Sequence, residues 1–181
     1  MSLTKSLTPQ EHGLIEEMVA WGTKVKDIAW ALHQHPDAEK YAKRYYKEVN
    51  VRPPNGVPGS ATSPSLRSSV RMQYAALASA YLNAIEREMA HKDAALAVFR
   101  IHWQECQTQK PQDQIKSSVW LTTARNLDCG IEELVTCGCC GGKYLLQRHA
   151  FQEHDMRCMW CNHAIPQHRF RAERENELKR A

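Results

Sequence analysis

The chain has 181 residues, 43% apolar and 24% charged, with 24 Lys and Arg against 20 Asp and Glu for a net charge of +4. That length holds one domain with a core, or a core domain joined to a small metal-stapled one, and the composition excludes a disordered or repeat-built chain. No apolar run is long enough to span a membrane, no secretory leader is recognisable, and seven cysteines are an odd number for a disulfide framework, so a reduced, cytoplasmic protein with no membrane partner is expected.

The first element is announced by Thr8-Pro9-Gln10-Glu11. This is a capping box with proline at the first helical position: the threonine oxygen can accept from the Glu11 amide while the glutamate reaches back. Leu14, Met18, Trp21, Val25, Ile28 and Leu32 then fall three and four apart and draw one apolar stripe. Gly22-Thr23 predicts a break, with a second helix over about 24–32 that His33-Gln34-His35-Pro36 stops. Asp37 is expected to cap a third helix, Ala38–Val49, with Tyr41 and Tyr45 on one side and Lys40, Lys43, Arg44 and Lys47 around the other. Residues 1–50 thus outline a helix-turn-helix, whose second helix enters the major groove of DNA. A tyrosine-lined helix packed in a core, with a solvated basic face, fits the same residues.

Residues 51–65, with four prolines and two glycines, read as a linker or extended arm. Residues 66–130 turn helical again. Val70, Tyr74, Leu77, Tyr81 and Ile85 give one face, and Ala75, Ala76, Ala78, Ser79 and Ala80 would let neighbouring helices approach closely. A further helix is expected over Ala94–Cys106, with Leu96, Phe99 and Trp103 inward. Another should open at Pro111 and run through Ile115, Val119 and Thr122 to Leu127, where Gly130 can end it in a left-handed cap. Beyond Ile131 the period changes: Leu134-Val135 and Lys143–Leu146 suggest short strands, and Met156-Arg157 leads into a second turn. The fold class predicted is mainly α, a helical body with a small C-terminal four-cysteine zinc ribbon over residues 131–166 and a basic, helix-prone tail at 167–181.

The ribbon reading rests on Cys137-Gly138-Cys139-Cys140-Gly141-Gly142, answered by Cys158-Met159-Trp160-Cys161. A C-x2-C…C-x2-C pattern at this separation lets two tight turns each present a pair of thiolates to one tetrahedral ion. The residue after the second cysteine of such a knuckle often needs positive φ, and Gly141 and Asn162 stand there. Spacing favours Cys137, Cys140, Cys158 and Cys161 as ligands of one structural zinc. A register in which Cys139 replaces Cys137 or Cys140 stays open. Lys143, Arg148 and Arg157 are at hand to offset the charge of four thiolates. A catalytic site would keep an open position and draw on His149, His154 or His163; four cysteines make these surface histidines instead. A thioredoxin-like redox pair would need one C-x-x-C, not two at ribbon spacing.

Positive charge is concentrated in Glu39–Arg52 and in the tail from Arg169. Candidate contacts to a polyanion are Lys40, Lys43, Arg44 and Lys47 on the third helix and Arg169, Arg171 and Arg174 in the tail.

The order of features resembles the bacterial flagellar transcriptional activator FlhC family. The likeness is carried by Arg44-Tyr45-Tyr46-Lys47-Glu48 running into Val51-Arg52-Pro53-Pro54-Asn55-Gly56, by a helical middle, and by Cys137-Gly138-Cys139-Cys140-Gly141-Gly142 with a later C-x-x-C. It covers roughly Leu14 to Cys161. The resemblance implies structural zinc on Cys137, Cys140, Cys158 and Cys161, and a hetero-oligomer with an FlhD-like subunit that binds promoter DNA and recruits RNA polymerase. The capping region, the histidine-rich turn and the tail after Cys161 depart from the motility members, so no base-contacting residue and no target promoter carries over. The competing reading is a zinc-stapled protein interaction scaffold. No paired carboxylate motif, phosphate-cradling glycine loop or nucleophile-base signature points to an enzyme or to a small-molecule substrate.

Overall fold

The computed structural model describes residues 6–33, 35–56, 59–63, 65–106, 109–110, 113–147 and 158–163. Its elements are α1 (Pro9–Ala20), α2 (Val25–Ala31), α3 (Ala38–Glu48), α4 (Ser68–Glu86), α5 (His91–Cys106), α6 (Ser117–Asp128), β1 (Glu132–Thr136) and β2 (Lys143–Gln147). The chain is mainly helical, as expected. None of the described helices is long and apolar enough to cross a membrane.

α1 begins at the expected capping box. Glu11 N donates to Thr8 Oγ1 at 3.2 Å and Thr8 N donates to Glu11 Oε2 at 2.6 Å. The break after Trp21 is made by Gly22, whose φ of 66° lies in the left-handed region that a Cβ disfavours. Thr23, fully buried, then ties the turn to distant parts of the chain: its hydroxyl donates to Ser117 Oγ at 3.0 Å, and Ser118 Oγ accepts from Lys24 N at 3.0 Å. The start of α2 is thus capped from α6 instead of by a local side chain.

α3 packs against both α1 and α2, forming a three-helix unit. Asp37 does not cap it, for its backbone is already helical and its side chain makes no capping bond. The third helix is anchored by a tyrosine other than those predicted. Tyr41 and Tyr45 are half-buried, whereas Tyr46 is 1% exposed and donates its hydroxyl to the Thr23 carbonyl at 2.6 Å.

α4, α5 and α6 carry the rest of the core. Val70, Tyr74, Leu77 and Tyr81 of α4 are buried, with Ile85 partly so. Trp120 on α6 is fully buried, donates its indole N–H to the Ala95 carbonyl at 2.8 Å and meets Tyr81 edge to face at 6.0 Å. Phe99 meets Trp21 in the same manner at 5.0 Å, joining α5 to the end of α1. Two helix starts differ from the sequence reading. α5 begins one turn earlier, at His91. α6 begins at Ser117 behind an extended Lys116, not at 111, a residue outside the described set. Lys116 N donates to Tyr74 Oη at 3.0 Å, a partner 42 residues away.

α6 ends where glycine was expected to end it. Ile131 N donates to Asn126 O at 2.8 Å and Gly130 N to Leu127 O at 3.2 Å, with Gly130 at φ 68°, a Schellman motif. The reversed chain enters an antiparallel hairpin that pairs Leu134 with Leu145 and Val135 with Tyr144. Side chains alternate across a strand, and here the alternation divides two cores. Leu145, with partly buried Leu134, joins the helical core; Val135, Tyr144 and Leu146 join a second cluster with Cys137, Cys158 and Met159.

Candidate metal centre

The second cluster is built on two matching turns. Cys137 N donates to Gly142 O at 2.8 Å and Gly141 N to Cys137 O at 3.0 Å; Cys158 N donates to His163 O at 2.9 Å and Asn162 N to Cys158 O at 2.8 Å. The same two bonds close both loops, and Gly141 (φ 71°) and Asn162 (φ 58°) take the equivalent left-handed position. Within each turn an amide points back at the first sulfur. Cys139 N and Trp160 N lie 3.4 Å from the Sγ atoms of Cys137 and Cys158.

These turns bring four sulfurs within 4.8 Å of one another: Cys137, Cys140, Cys158 and Cys161. Cys137 Sγ is 3.8 Å from Cys161 Sγ, and Cys140 Sγ is 3.7 Å from Cys158 Sγ. An ion about 2.3 Å from each of four tetrahedral sulfurs would set them about 3.8 Å apart, so the donor set fits a tetrahedral thiolate-bound metal ion. Cys139 stands outside, exposed, contributing its amide and not its sulfur. Of the registers that spacing left open, the fold gathers the one that pairs Cys137 with Cys140.

The electrostatics of the cluster favour a cation. Amides of Cys140 and Cys139 on its sulfur pull the Cys137 thiol down to about 6. For Cys161 the His163 amide pulls the other way from the net effect: desolvation and the three neighbouring sulfurs outweigh it and push the thiol up to about 12. Several thiolates cannot share so small a space without positive charge between them, which a divalent ion supplies.

Among the described residues, the nearby histidine and lysine stand apart from the sulfurs. His163 is exposed and lends only its carbonyl and amide. Lys143 faces away, its Nζ donating to Ser79 Oγ of α4 at 3.0 Å. His149, His154, Arg148 and Arg157 lie outside the described residues, as do Arg169, Arg171, Arg174 and the whole tail.

The four candidate cations of α3 do share a solvent-exposed surface. Two of them are paired on their own helix, Lys43 with Glu39 at 3.4 Å and Arg44 with Glu48 at 2.7 Å. Two residues that the sequence reading left without a role matter to the centre's placement. Glu132, 2% exposed, accepts from Asn126 Nδ2 at 3.1 Å and from Ser60 Oγ at 3.4 Å, tying the proline-rich arm and α6 to the hairpin. Trp160 bridges the two knuckles; an aromatic residue between two ligand cysteines was the available signal. No known protein-family model matches the chain, and no curated protein matches it.

Proposed function

We propose that the chain is a DNA-binding subunit of a transcriptional activator, with structural zinc on Cys137, Cys140, Cys158 and Cys161 and an FlhD-like partner subunit. The observation that carries the reading is the four-cysteine cluster on a hairpin that is itself packed on a helical body. Four thiolates leave no open coordination position and select a soft, tetrahedral ion, which favours a structural over a catalytic role and zinc over magnesium or calcium. Support for DNA comes from α3, whose Lys40, Lys43, Arg44 and Lys47 are exposed on a helix held from behind by buried Tyr46, and from the resemblance to FlhC, which also supplies RNA polymerase as the recruited enzyme. Support for a partner comes from large apolar side chains left in solvent, Val49 and Val51 just after α3 and Ile101 on α5, at 54%, 54% and 59% exposure.

The second reading, a zinc-stapled scaffold that never touches nucleic acid, is favoured by the two ion pairs that already occupy Lys43 and Arg44. An electrophoretic shift of promoter DNA, run with the partner across a salt series, separates the two. On the DNA reading, log affinity falls with log salt at about 0.9 per neutralised phosphate. Replacing Lys40, Lys43, Arg44 and Lys47 by glutamine then lowers that slope by about 0.9 for each phosphate that is no longer neutralised. A wild-type complex that shifts no DNA selects the scaffold. A shift with an unchanged slope in the quadruple variant removes α3 from the DNA surface.

A further inference from the structure

The second knuckle carries a large side chain that is not one of the four candidate ligands. Trp160 is bracketed by Cys158 and Cys161, and it is 49% exposed. Its indole N–H donates to the Lys143 carbonyl at 2.9 Å, reaching from the second knuckle to the strand that leaves the first. The ring lies over Gly142 so closely that a Cβ there would meet Trp160 Cδ1 at 2.3 Å. Gly142 is therefore required by the approach of the indole. The ring also lines an open groove with Met72, Ala76, Ser79 and Ala80 of α4, and Lys143, on the same groove, donates its Nζ to Ser79 Oγ at 3.0 Å.

We propose that Trp160 is the positioning residue through which metal occupancy of the cysteine cluster is transmitted to α4. The inference rests on the metal reading above. An ion held by Cys158 and Cys161 fixes both ends of the short span containing Trp160, and so fixes the ring over Gly142 and beside α4. Release of the ion unties those ends, the indole loses its seat, and the groove against the small-residue face of α4 loses one of its walls. Coupling of this kind is reciprocal, so what disturbs the ring's seat from the α4 side must also weaken metal binding.

The test uses the full chain. Metal content by atomic absorption comes first, and a chain that takes up no zinc sinks the metal reading and this inference together. With zinc bound, the helical circular dichroism signal is followed through thermal unfolding before and after chelation. Chelation is expected to lower the wild-type midpoint. Zinc-loaded Trp160→Ala is expected to melt where chelated wild type does and to respond no further to chelation, with Trp160→Phe, which keeps a ring but no N–H, falling between. A zinc-loaded Trp160→Ala that melts like zinc-loaded wild type overturns the inference alone, and would route the coupling through Leu134 and Leu145. If Trp160→Ala cannot hold zinc, Ala80→Glu decides from the α4 side. It is expected to weaken zinc affinity by a factor of about 5–150, the usual span of coupling between sites; an unchanged affinity overturns the inference.

Discussion

Replacing Cys158 by serine is expected to weaken zinc binding by two to three orders of magnitude, while Cys139→Ser leaves it unchanged. The two cysteines stand in the same pair of turns but in opposite circumstances. Cys158 is 2% exposed with its sulfur 3.7 Å from that of Cys140, whereas Cys139 is exposed and lends the cluster only its amide. Structural zinc sites in small domains have apparent binding energies of about 10–16 kcal/mol, so an equal share for one of four thiolates is roughly 2.5–4 kcal/mol. At about 1.4 kcal/mol per decade this is a loss of roughly a hundred- to a thousandfold. A second cost falls on stability: a polar hydroxyl replaces a buried sulfur among Val135, Tyr144 and Leu146, and with the Trp160 amide as a partner the loss stays below the roughly 1–3 kcal/mol of an unpartnered hydroxyl. Competition against a chromophoric zinc chelator reads the first effect, and denaturant unfolding of the metal-free proteins reads the second. A Cys158→Ser affinity equal to that of wild type, or an equal loss in both variants, refutes the ligand assignment.

Three further perturbations test the body that carries the centre. Tyr46→Phe leaves the buried Thr23 carbonyl without its 2.6 Å partner and is expected to cost about 1–3 kcal/mol in urea unfolding. Thr8→Ala removes the capping box of α1 and is expected to cost about 1 kcal/mol by the same assay. Glu132 governs a pH dependence. Burial raises its pKa above the ordinary 4.5, against the opposing hydrogen bonds of Asn126, Thr123, Ser60 and Gln147, so the folded state holds this proton more tightly than the unfolded state. Its contribution is fully present below the ordinary value and is lost as pH rises through the raised one. Glu132→Gln should therefore flatten stability over that window in unfolding curves taken at successive pH; an unaltered profile would show that Glu132 does not titrate there.

What could be read from the sequence was local. The Thr8 capping box, the break at Gly22, the left-handed ends at Gly130, Gly141 and Asn162 and the C-x2-C knuckles each depend on residues a few positions apart, and all appear where expected. What could not be read was decided by partners far along the chain. Tyr46, not Tyr45, is buried because Thr23 offers it a carbonyl from the α1–α2 turn. α6 starts at Ser117 because Tyr74 and the α1–α2 turn meet the chain there. Asp37 fits a capping position by residue type, yet its helical backbone leaves no cap to make. Glu132 alternates into the helical side of the hairpin, where Asn126 and Ser60 make a buried carboxylate tolerable. The cysteine register was open on spacing because Cys139 and its neighbours are adjacent in sequence, and the fold separates them by turning one sulfur outward.

The hairpin is a party wall between two rooms, and its pairing register decides which side chain furnishes which. A slip of one residue would send Leu145 toward the sulfurs and Tyr144 and Leu146 toward the helices. It would also shift Cys137, next after Thr136 at the end of β1, relative to β2. A mispaired hairpin would then send the wrong side chains into the helical core and disturb the gathering of the four sulfurs. A single residue gained inside either strand would swap the faces of that strand's side chains beyond it, and so disturb both clusters at once.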